Sequence, residues 1–99
     1  MLAKDEILSL LRESILSLRR SGIIEVDIAV DAETILLGTG SSLDSMGFVT
    51  FVTDVEERLN RETGKDLYIV LTELEERFPG STTLTADMFA DYLVELTAA

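Results

Sequence analysis

Residues 44–59 read DSMGFVTFVTDVEERL, and the way this run is understood decides the fold. Phe48, Val52, Val55 and Leu59 recur at three- and four-residue spacing, widened by Val49 and Phe51, which is the apolar stripe of an amphipathic helix. Opposite the stripe stand Thr50, Thr53, Asp54, Glu57, Arg58 and Arg61. Asp44 is the N-cap candidate, because a short carboxylate just ahead of a periodic run can accept from the free N–H groups of a first turn. The far end of the helix falls near Glu62 to Gly64.

Upstream, residues 3–20 form another helical pattern. Ile7, Leu8, Leu11, Ile15 and Leu18 share its face, and Ser21-Gly22 stops it. Downstream, Thr72 with Glu75 fits a capping box for a short helix, although the start can also fall earlier, within LYIVL. Leu74 and Phe78 face inward there, and Pro79-Gly80 ends it. Thr85 can cap a last helix that carries Phe89, Tyr92, Leu93 and Leu96 on one side.

The connection from 23 to 43 is harder. IIEVDIAVD alternates like a strand, yet no second strongly alternating segment is available to pair with it, and a lone strand is unstable. It reads as an extended loop packed on the helices, with Ile35, Leu36 and Leu37 as anchors before a loose GTGSS. Asp27, Asp31 and Glu33 lack the glycine and distal glutamate of an EF-hand loop, so they read as a solvated edge and no metal site is expected. The expectation is one all-α domain over residues 1–99. It is a small four-helix bundle, three helices longer and one shorter, with a long first loop.

Composition narrows the chemistry. The 99 residues contain no cysteine and no histidine. Thiol and imidazole nucleophiles, the usual zinc ligands and histidine general bases are therefore absent, and a self-sufficient hydrolase or transferase is not expected. Nineteen acids stand against eight bases, a net charge of −11, and all of the excess follows Arg20. Such a surface repels phosphate backbones and anionic lipid, so neither nucleic acid nor a membrane surface is the expected partner. Enzymes with basic patches, steered in by charge, are. Asp5 and Glu6 stand where a signal peptide is basic and then apolar, and no apolar run approaches a membrane span; a cytoplasmic protein is expected.

Ser45 is the residue that could carry chemistry. A hydroxyl at a helix start sits among free backbone N–H groups and the positive end of the helix dipole, where a phosphate ester is tolerated. The loop before it, with Gly38, Gly40, Ser41 and Ser42, is small enough for a foreign active site to approach. No His or Lys stands nearby in sequence to deprotonate Ser45, so another protein must activate it. Asp-Ser at a helix start is by itself a common structural pattern.

LDSMGFVTFVTDVEERL resembles the modification motif of the acyl carrier proteins, the family of fatty-acid, polyketide and peptidyl carriers. An Asp-Ser-Leu-like triplet opens the second helix there. Apolar residues follow four, six, seven and ten positions after the serine, then an acidic pair and an aromatic or leucine. Val49, Phe51, Val52, Val55, Glu56 with Glu57, and Leu59 fill those places here, and Met46 replaces the leucine. ETILLG is similar to the family's loop anchor, and TLTADMFADYL to its last helix.

The resemblance implies an acyl carrier, not an enzyme. A phosphopantetheinyl transferase, with magnesium and coenzyme A, would join a phosphopantetheine arm to Ser45, and the arm's thiol would carry acyl groups between acyl-loading and acyl-processing enzymes. It also implies that Asp44 assists the transferase complex, that Met46, Val49, Thr50, Glu56 and Glu57 contact partners, and that the chain is a monomer. Gly47 and Thr50 replace acids often present in the fatty-acid type, which points to a specialised member. An aminoacyl or peptidyl carrier is the alternative within the family; the rival from another class is an unmodified acidic interaction module.

Overall fold

The computed structural model describes residues 2–24, 30–31, 33–38, 40–41, 43–78, 80 and 83–98, with the backbone alone at Ser45. Four helices are present among them: α1 (Lys4–Arg20), α2 (Ser45–Thr63), α3 (Leu71–Arg77) and α4 (Ala86–Ala98). The expected three longer helices and one shorter are therefore observed. The all-α expectation is corrected by a small antiparallel sheet of β1 (Ile35–Leu37) and β2 (Leu84–Thr85). Ile35 opposes Thr85 and Leu37 opposes Leu84, with an irregularity between, and the Ala86 N–H to Thr34 carbonyl bond of 2.8 Å extends the pairing.

Apolar periodicity and tertiary packing agree for the long helices. α1 lies against both α2 and α4. Ile7, Leu11 and Ile15 of α1, Phe51, Val55 and Leu59 of α2, and Phe89 and Leu93 of α4 are all fully buried. Phe51 and Phe89 meet with ring centroids 6.0 Å apart and planes tilted by 53°, a separation and tilt within the favourable range for aromatic pairs. α2 closes on Gly64, whose φ of 68° and N–H to Asn60 carbonyl bond of 2.8 Å form a left-handed cap. No helix among the described residues is long and apolar enough to cross a membrane.

The first connection is tied down at several points. Arg12 Nε donates to the Val30 carbonyl at 2.8 Å, and Ile24, Val30, Leu36 and Leu43 are buried. Of the three expected anchors only Leu36 is fully buried; Ile35 is half-buried and Leu37 is 40% exposed, because pairing with β2 turns alternate side chains outward. The stretch expected to be loose is held at Ser41, whose hydroxyl donates to the Leu36 carbonyl at 2.8 Å and accepts the Leu43 N–H at 3.0 Å. Asp31 spends one carboxylate oxygen on the Glu33 N–H, 2.9 Å away, as an Asx turn does. The alternating core of IIEVDIAVD, residues 25–29, lies outside the described residues.

α3 starts where tertiary contacts place it. Its N-cap is Val70, and Thr72 is an exposed residue inside the first turn, so the Thr72–Glu75 box is not the start; the earlier start within LYIVL is the one observed. The lead-in is held by side chains of the longer helices. Asn60 accepts from the Leu67 N–H at 2.7 Å and donates to its carbonyl at 3.0 Å. Glu56 accepts from the Ile69 N–H at 2.8 Å, and the Tyr92 hydroxyl accepts from the Val70 N–H at 3.3 Å. With those amides committed, the chain enters the helix at Val70. Leu74 is buried as expected, while Phe78 is a half-buried C-cap beneath the Arg77 guanidinium. Thr85 does cap α4, accepting from the Met88 N–H at 3.2 Å.

Candidate functional site

The first turn of α2 is built around Asp44. Its backbone is extended, its carbonyl accepts from Phe48 N–H at 2.9 Å, and its Oδ1 accepts from Gly47 N–H at 2.6 Å. Asp44 is thus the N-cap the sequence indicated, and Ser45 is the first residue of the helix. Because a carboxylate already meets the first-turn amide, capping does not need the Ser45 hydroxyl. The Ser45 side chain lies outside the described atoms.

The residues on either side of Ser45 are exposed. Asp44 is exposed and Met46 is 80% exposed. Val49, which the sequence placed at the margin of the buried stripe, is 54% exposed. At 100° per residue it stands off the centre line of Phe48, Val52, Val55 and Leu59, and it joins Met46, Thr50 and Thr53 on the outer face. Thr50 Oγ1 donates to the Met46 carbonyl at 2.9 Å and Thr53 Oγ1 to the Val49 carbonyl at 3.0 Å. Both hydroxyls are thereby satisfied within the helix. The face is free of charge from Ser45 to Thr53 in a chain of net charge −11.

The acidic pair divides. Glu57 is exposed, whereas Glu56 is half-buried and holds the Ile69 amide. The five expected partner contacts therefore comprise an outer cluster of Met46, Val49 and Thr50, an exposed Glu57 about two turns further on, and a Glu56 already engaged within the chain.

One feature near Ser45 was not legible in the sequence. An open groove of about 280 Å³ lies between Leu37 of β1, Phe48 of α2, Leu71 and Leu74 of α3, Leu84 of β2 and Met88 of α4. It is a product of the β1–β2 pairing and the seating of α3. Of the apolar run LYIVL only Leu71 lines it, and that residue is 41% exposed at the start of α3.

No family model, no curated protein and no solved structure matches this chain.

Proposed function

We propose that the chain is a cytoplasmic acyl carrier protein that holds a phosphopantetheine arm on Ser45, as its resemblance to that family implies. The observation that carries this reading is the Asp44 cap. The Asp44 carboxylate satisfies the first-turn amide at 2.6 Å, which leaves the adjacent serine free of a capping duty at the positive end of a 19-residue helix. A helix start of this kind favours the negative charge of a phosphodiester. The exposed flanks suit an attachment made by a separate enzyme.

Ser45 would hold the arm through its hydroxyl oxygen. That oxygen displaces adenosine 3′,5′-bisphosphate from coenzyme A as the serine proton is lost to the transferase. The group, once attached, supplies the thiol that a cysteine-free chain lacks, so acyl intermediates can travel as thioesters. The apolar groove, which opens on Phe48 three residues from Ser45, supports an acyl cargo. Met46, Val49 and Thr50 offer transferase and acyl-processing enzymes a neutral contact, and the surrounding negative charge brings basic partners to it.

The test is an intact mass after incubation with coenzyme A, magnesium and a broad-specificity phosphopantetheinyl transferase. One phosphopantetheine should be added to the native chain and none to Ser45→Ala. An unchanged native mass beside a known carrier that is modified overturns the reading and leaves the unmodified interaction module.

A further inference from the structure

We propose that Gly47 is a positioning residue for the loading of Ser45 and acts through Asp44; the inference rests on the carrier reading above. The chain has six glycines, and five of them have positive φ. Gly47 is the exception, so its backbone conformation is open to any residue. Alanine there would favour the helix by about 1 kcal/mol. Glycine at this place therefore answers to space, and the space is occupied by one group.

Gly47 is buried in the first turn of α2, between the exposed Met46 and the buried Phe48. A Cβ built on it would stand 3.0 Å from Asp44 Oδ1, against 3.7 Å from Leu43 Cδ2 and 3.8 Å from Ile24 Cγ2. The two apolar neighbours are at ordinary contact distance; the carboxylate is not. The same oxygen receives the Gly47 N–H at 2.6 Å. Asp44 is exposed and accepts no other side-chain hydrogen bond among the described residues, so the Gly47 amide is what fixes its orientation. A methyl group at 47 makes that oxygen give by a few tenths of an ångström, which shifts the carboxylate beside Ser45 and weakens its bond to the amide.

The experiment measures transferase-catalysed loading with coenzyme A and magnesium for the native chain, Gly47→Ala, Asp44→Ser and the double variant. Circular dichroism sets a temperature at which each is folded. Asp44→Ser keeps a shorter cap that a Cβ at 47 does not crowd. For Gly47→Ala, kcat should fall at least about fivefold at saturating carrier while loading still reaches completion at long times. The double variant should load within about twofold of Asp44→Ser, because the two changes act through one carboxylate.

Equal rates for Gly47→Ala and the native chain overturn the proposal, as do losses that multiply in the double variant. A Gly47→Ala chain that is unfolded at every temperature also overturns it, since Gly47 would then support the fold rather than Asp44. If the native chain is never loaded, the carrier reading falls and takes this inference with it; if the native chain loads, these outcomes bear on Gly47 alone.

Discussion

The Ser14 hydroxyl donates to Asp54 Oδ2 at 2.6 Å across the interface of α1 and α2, and Ser14 is fully buried. Asp54 also receives Arg58 Nε at 2.7 Å, so one carboxylate joins a serine in the core to a cation at its edge. A polar group this well buried is costly when its partner is removed. Asp54→Ala should destabilise by about 1–3 kcal/mol in urea unfolding, and Ser14→Ala by about 1 kcal/mol. The double variant should lose less than the two single losses added together, since both remove the same bond. Additive losses would show that the pair is not coupled.

The two faces of α2 should respond in opposite ways. Phe51→Ala empties a fully buried site against Phe89 and should cost about 3–5 kcal/mol. Val49→Asp lies on the outer face and should leave stability within about 0.5 kcal/mol. It should nevertheless lower kcat/KM for loading by about tenfold, because it puts a charge into a neutral contact. Thermal unfolding and loading kinetics on the same samples separate the two effects.

Asn60 tests the strap before α3. It makes both hydrogen bonds to Leu67, so Asn60→Ala releases the carbonyl and the amide together. The expected result is faster amide exchange at Leu67, Ile69 and Val70, with the amides of α1 little changed. Unaltered exchange in the strap would mean that Glu56 and Tyr92 hold it alone.

Tyr92 gives a pH signature. Burial raises its pKa above the ordinary value near 10, the Val70 amide opposes the rise, and the charge of Glu73 adds to it. With a raised folded pKa the neutral phenol stabilises the fold fully below about pH 10, and that contribution is lost as pH climbs through the folded value. Lys4, held by Asp87 and Asp91, is also raised, and its contribution is lost by the same sign as pH climbs through its own folded value. Tyr92→Phe should therefore remove part of the alkaline decline in stability. It should also cost about 0.5–1.5 kcal/mol at neutral pH through its lost hydrogen bonds. An identical alkaline slope in the variant would assign the decline elsewhere.

Salt separates steering from contact. The charge of −11 should make loading slow as ionic strength rises, since long-range attraction is screened. The outer face of α2 carries no charge from Met46 to Thr53, so the dissociation rate of the transferase complex should change little. A dissociation rate that rises steeply with salt would place ion pairs in the contact itself.

The features legible in the residues alone are local ones. The i, i+3 and i+4 spacing of Phe48, Val52, Val55 and Leu59 fixed the inner face of α2, and the same rule placed Ile7, Leu11 and Ile15 in the core. Asp44 and Thr85 were legible as caps because a side chain and the amide it meets lie within three residues. Where two distant segments had to meet, long-range packing set the outcome. The β1–β2 pair joins residues about fifty positions apart in strands of three and two residues, too short for alternation to mark. Val70, not Thr72, starts α3 because Glu56 and Tyr92 come from other helices to take the amides before it. Gly47 shows the same division at a single residue. Glycine is a poor helix former wherever it stands in a helix, and only the folded first turn brings Asp44 Oδ1 to 3.0 Å from the place a Cβ at 47 would take.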